Sequence, residues 1–94
     1  MSVFGVNPKR SFNYDGCIIN IYNANKGEGL PKHSHTFAHA TFCAAGSFVV
    51  RKENKEVIFT KDTQPANLTE NEWHEIEALE DNTVFVNVFA ESKQ

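Results

Sequence analysis

The sequence predicts an all-β fold, on three observations. Short apolar runs are separated by turn residues along the whole 94-residue chain. Several runs alternate apolar and polar side chains, the period of a half-buried strand. No segment carries a helical period of adequate length. Short, closely spaced strands of this kind build a sandwich or a barrel.

The elements follow in order. Val3 to Val6 reads as an opening edge strand stopped by Asn7-Pro8. Asp15-Gly16 signals a turn, and the Ile-rich stretch from Cys17 to Tyr22 reads as a strand. Residues 23–31 hold two Asn, two Gly and one Pro, so they read as a loop. Ala38 to Ala44 is a short apolar strand ending at Gly46. Ser47 to Lys52 and Glu56 to Thr60 flank Glu53-Asn54-Lys55, a polar hairpin turn. Lys61 to Pro65 is a further turn. Trp73 to Leu79 alternates, with His74, Ile76 and Ala78 on one side and Trp73, Glu75 and Glu77 on the other, towards solvent. Asp81-Asn82 turns the chain into a last strand, Val84 to Phe89. Glu70-Asn71-Glu72 tolerates helix but is too short to form one.

Composition excludes several classes. The net charge is −3 with a pI near 5.7, and the basic residues are scattered, which argues against a nucleic-acid partner. No apolar run approaches the ~18 residues of a membrane span, so no membrane partner is expected. The N-terminus lacks the charged start and apolar middle of a secretory signal, and the expected location is the cytoplasm. Cys17 and Cys43 read as free thiols in that setting, with a single disulfide as the alternative. One domain over 1–94 is expected. Its small core and open edge strand favour a homodimer.

The chain has four histidines: His33, His35, His39 and His74. Three of them form an H-x-H-x3-H cluster. Residues two apart on a strand share a side, so His33 and His35 project together, and His39 keeps that parity in an extended chain. His74 arrives from another strand. Imidazole is a common ligand for transition metals, and these four residues are the candidate metal ligands.

The stretch from Gly27 to Gly46 resembles the first motif of the cupin superfamily: Gly, five residues, His-x-His, three or four residues, Glu, six residues, Gly. Gly27, His33, His35 and Gly46 fall at the matching positions, and His39 stands in the Glu slot. The second motif, Pro-x-Gly-x-x-His-x-x-x-Asn, falls on Thr69, Asn71, His74 and Ala78, so only its His is retained. Asn71 is a sensible stand-in for Gly, because Asn tolerates the left-handed conformation of a tight turn. The resemblance spans about Gly27 to Phe89. It implies a cupin-type jelly-roll β-barrel of two antiparallel sheets, with N-terminal strands over 1–26 and a barrel core over 27–89. Replacing Glu by His39 leaves four neutral ligands, so the ion keeps its full charge and attracts anions.

Around the ligands, Thr41 and Cys43 share strand parity with His39 and are candidate pocket residues, with core packing an equal reading for Cys43. Phe85, Asn87 and Phe89 share one face of the last strand. Asn87 is the one polar side chain in that run, a substrate partner if the face lines a pocket and of no consequence at a solvated edge.

The resemblance implies one divalent transition-metal ion. Fe or Mn is the expected working ion, and Ni, Zn or Cu is able to take the site in purified protein. It further implies a small metal-dependent dioxygenase or related oxidoreductase acting on a small, oxygen-rich, anionic molecule. The alternatives are a non-catalytic module that binds a sugar or other metabolite and a metal-dependent isomerase. No residue stands out as a general base, which weighs against isomerisation.

Overall fold

A computed structural model describes residues 3–69 and 71–91. Among these, ten strands follow in order: β1 Phe4–Gly5, β2 Arg10–Tyr14, β3 Cys17–Ala24, β4 Glu28–His33, β5 His39–Ala45, β6 Ser47–Lys52, β7 Lys55–Thr60, β8 Ala66–Leu68, β9 His74–Ala78 and β10 Thr83–Ala90. They form two five-stranded sheets, ordered β1-β4-β9-β6-β7 and β2-β3-β10-β5-β8. The pairings are antiparallel apart from β1 on β4, which is parallel. Among the described residues no helix is long and apolar enough to cross a membrane.

The chain passes from one sheet to the other at most connections from β3 onward. Each inner face supplies half of one core. Phe48, Val50, Phe59, Ile76 and Ala78 come from the first sheet, and Tyr22, Ala24, Cys43, Leu68 and Phe85 from the second. Each fully buried large side chain contributes roughly 1.5–3 kcal/mol. Aromatic contacts tie the two faces together: Phe48 stacks on Phe59 at 4.9 Å and meets Phe85 at 5.4 Å.

Alternation holds where burial is one-sided. His74, Ile76 and Ala78 of β9 are buried. On the outer side, Glu75 and Glu77 accept hydrogen bonds from the Arg51 guanidinium at 3.1 and 2.7 Å. The expected outward carboxylates are thus bound to Arg51. Turn chemistry also holds: Asp15 (φ 51°) and Gly16 (φ 80°) form the two-residue link from β2 to β3. Cys17 and Cys43 are both free thiols.

Three elements differ from the sequence expectation. The expected loop over 23–31 is largely strand, since β3 runs to Ala24 and β4 starts at Glu28. Gly29 suggests a loop but has another use: a Cβ there would collide with the Ile76 carbonyl. It marks close approach of β4 to β9. Strand β2 carries no amphipathic signal because all five of its residues are exposed, and its order comes from the ladder with β3. Strand β8 is three residues long, too short for a period to show.

Candidate metal centre

The centre lies where the chain leaves the first sheet for the second. His33 ends β4, His35 sits in the crossing, and His39 opens β5. His74 opens β9, directly in register with His33. It therefore faces His33 across one ladder.

A bulge sets the direction of His33. Leu30 pairs with Ile76, and the next paired residue is His33, opposite His74. One extra residue is thus accommodated at Pro31-Lys32. Proline cannot donate to the ladder, so a bulge suits it. The extra residue changes the strand's parity: Leu30 packs against the core and His33, three residues on, faces the site. The His33 ring donates from Nδ1 to the Pro31 carbonyl at 2.6 Å. That bond fixes the tautomer and leaves the Nε2 lone pair for a ligand role.

The crossing is held by a hydrogen bond from Asn71 N–H to the His35 carbonyl, at 2.8 Å. Asn71 has φ 61°, the left-handed conformation expected from its place in the second motif. Gly27 (φ 90°) and Gly46 (φ 73°) also have positive φ. A Cβ at Gly46 would press on Thr83. Both first-motif glycines therefore occupy backbone that a side chain would strain.

The imidazoles converge. Ligand atoms of His33, His35 and His74 all lie within 4.8 Å of one another. Metal–nitrogen bonds near 2.0–2.2 Å put two donors on one ion at most about 4.4 Å apart, so small ring movements close the set. His39 stands at the edge of this group, its ring centre 4.8 Å from that of His35 and 5.7 Å from that of His74. No carboxylate belongs to the three-residue group.

The ring nitrogens of His35 and His74 are buried and, among the described residues, without hydrogen-bond partners. The Glu72 backbone acts on His74 without forming a well-aligned bond. Four orphaned nitrogens in a packed interior are costly, at about 1–3 kcal/mol for each unmet group. A bound cation would take one nitrogen of each ring, and this is the fit that recommends the site for a metal ion. Burial, and less strongly the repulsion of neighbouring imidazoles, pushes the His74 pKa down to about 4. Burial likewise pushes His39 to about 4, partly opposed by the Ala40 carbonyl. Both rings are therefore neutral and able to ligate at neutral pH.

This has a measurable consequence. The unfolded chain carries these rings at an ordinary 6.5, above the folded value of about 4. Between those values the unfolded state binds more protons. The stabilising contribution is complete above pH 6.5 and lost as pH falls towards 4. Thermal melts of metal-free protein are expected to show a steadily falling midpoint across that window. A midpoint that stays level there contradicts the burial of these rings.

Beside the histidines opens a cavity of about 420 Å³ lined by Asn20, Tyr22, Leu30, Pro31, Lys32, His33, His35, Phe37, His39, Asn87 and Phe89. Asn87 and Phe89 are on its wall, where the last strand's face was expected to put them. Thr41, Cys43 and Phe85 are not. Their face is the expected one, but their depth is not. Phe85 pairs with Cys43 and Asn87 with Thr41, so the first pair lies one row deeper. Phe85 is fully buried in the core, and the Cys43 thiol donates to the Ala45 and Gly46 carbonyls. Thr41, also fully buried, donates to Asn87 Oδ1 at 2.7 Å and so reaches the cavity only through that amide.

Sequence reasoning missed Phe37, Tyr22 and Asn20. Phe37 stacks on His35 at 4.6 Å and 11° and packs against Phe89 at 5.1 Å. Its position between two candidate ligands was the available signal. Asn20 and Tyr22 share a face of β3, and Asn20 is a polar residue among isoleucines, a signal equivalent to that of Asn87.

No protein-family model matches the chain, and no curated protein sequence matches it. Solved structures do. A cupin-2 domain protein from Shewanella frigidimarina superposes with a TM-score of 0.73 at 6% identity, over 92% of this chain and 84% of its own. The chain has the cupin fold. A cupin superfamily protein from Desulfitobacterium hafniense gives 0.71 at 9% identity, over 90% and 81%. KdgF from a Halomonas species gives 0.74 at 15% identity, over 84% and 73%. In this cupin fold His33, His35 and His39 line the cavity at the crossing between the sheets.

Proposed function

We propose that this cupin barrel binds one divalent transition-metal ion through His33, His35, His74 and His39. We propose further that it acts as a small dioxygenase or related oxidoreductase on a small, oxygen-rich, anionic molecule. The convergence of His33, His35 and His74 beside a cavity, with the ring nitrogens of His35 and His74 unpartnered among the described residues, carries this reading. Small shifts of the His39 ring would bring it into the set as the fourth ligand. Fe(II) or Mn(II) is the proposed working ion; when bound, it would supply open positions for oxygen chemistry. Four neutral ligands leave its charge uncompensated, which favours an anion.

The chain's own residues do the rest. The carbonyl of Pro31 holds the His33 ring in one tautomer. Phe37 covers one face of His35 and, with Phe89, keeps water from that side of the cavity. Asn20, Tyr22 and Asn87 supply polar contacts on the opposite wall.

A non-catalytic binding module is the second reading, favoured by one observation: among the described residues no carboxylate stands in the histidine group to move a proton. Oxygen uptake by protein loaded with Fe(II) under nitrogen separates the two. The proposal expects uptake with at least one member of a panel of enediols and thiols, stopped by a chelator. A panel that binds without any oxygen consumption leaves the binding module standing and removes the oxygenase.

A further inference from the structure

A row of polar side chains crosses the inner face of the second sheet. Ser11 on β2 is in register with Asn20 on β3, Asn20 with Asn87 on β10, and Asn87 with Thr41 on β5. Hydroxyls close the row at both ends. Ser11 Oγ donates to Asn20 Oδ1 at 2.6 Å, and Thr41 Oγ1 donates to Asn87 Oδ1 at 2.7 Å. Each amide oxygen is therefore engaged, and each amide has its N–H groups free to point elsewhere.

Asn20 and Asn87 line the same cavity as Tyr22. Their amide oxygens are taken by Ser11 and Thr41 and their amide nitrogens can only donate, so neither amide offers an acceptor to the Tyr22 proton. The ring is held still, stacked on Phe85 at 4.7 Å and 9°. Tyr22 lines the same cavity as His33, His35 and His39.

We propose that Tyr22, set beside the amides of Asn20 and Asn87, is a second recognition point of the site: its hydroxyl donates to a carboxylate or carbonyl oxygen at the far end of a small acid whose near end meets the histidine-bound ion. Burial holds the phenol above its ordinary pKa, so it stays protonated and remains a donor at neutral pH. Thr41 and Ser11 are positioning residues that act through the two amides. The proposal rests on the metal-binding reading and gives it a ligand class, small acids with a metal-binding head and a second acceptor oxygen.

The test uses Co(II)-loaded protein, whose visible spectrum reports ligand binding. 2-Oxoglutarate and 2-oxoadipate are titrated against 2-oxopentanoate and 2-oxohexanoate, which keep the head and replace the far carboxylate by methyl. The wild type is expected to prefer the dicarboxylates, at one chain length or both. Tyr22→Phe, which keeps the stacked ring, is expected to cut that preference about tenfold or more, as for a lost hydrogen bond to a charged group. Its affinity for Co(II) and for the methyl-ended acids stays unchanged. Asn87→Asp, which sets a negative charge beside the hydroxyl, is expected to cut the preference further.

If wild type shows no preference, or Tyr22→Phe keeps it in full, the recognition point is overturned and the metal centre stands. If wild type takes up no Co(II), the metal reading fails and takes the recognition point with it.

Discussion

His74→Ala is expected to lower affinity for Co(II) or Ni(II) by more than about a hundredfold, since losing even an outer hydrogen-bond partner of a ligand costs ~10–100-fold. His74 is fully buried, in register with His33, and 4.6 and 5.0 Å from the rings of His33 and His35. No nearby side chain of suitable chemistry lies on β9 to replace it: Ile76 and Ala78 share its face, and Glu75 points to Arg51. The effect on metal-free stability should be small. Truncation opens a cavity but also removes two buried nitrogens that have no partners, and the two terms oppose each other. The decisive readout is the metal-induced rise in melting temperature. An ion at a thousand times its Kd adds about 4.1 kcal/mol to the folded state, and in the variant that gain should fall to about 1.4 kcal/mol or less. A variant whose midpoint still climbs on adding Co(II), as the wild type's does, would remove His74 from the ligand set.

Phe85→Ala is expected to cost about 3–5 kcal/mol, against a total of roughly 5–15 kcal/mol for a domain of this size. The side chain is fully buried, stacks on Tyr22, and meets Phe48 of the opposite sheet. Its loss uncouples the two halves of the core. Urea midpoints should fall steeply, leaving a variant partly unfolded near body temperature. Phe85→Leu, which retains most of the volume, should recover much of the loss. The pair also tests the placement of this residue. A Phe85 on the cavity wall would change ligand affinity with little loss of stability. Buried beneath the cavity floor, it should change stability first, and Phe85→Leu should take up Co(II) as the wild type does.

Local chemistry made much of the architecture legible. Alternation in β9 and β10 gave the inward face, because one buried side imposes a period of two. Asp15-Gly16 and the spacing of Gly27, His33, His35 and Gly46 gave turns and candidate ligands, because those backbone and ligand geometries tolerate few residue types. Strands β2 and β8 did not announce themselves. One is exposed along its length and the other is three residues long, so neither imprints a burial pattern. The loop expected over 23–31 misread Gly29, whose missing side chain serves close strand packing.

The residues themselves, through their types and spacing, were enough to name His33, His35 and His74 as one group and to tell inward faces from outward ones. Face is a local property, set by the two-residue pleat of a single strand. Depth and partnership are not local: they depend on how strands from distant parts of the chain come into register. Register placed Phe85 and Cys43 in the core and Asn87 at the cavity, set His74 directly opposite His33, and used the bulge at Pro31-Lys32 to turn His33 inward. It also brought Asn20, Tyr22 and Asn87 together from two strands, and that assembly exists only once the sheets have formed.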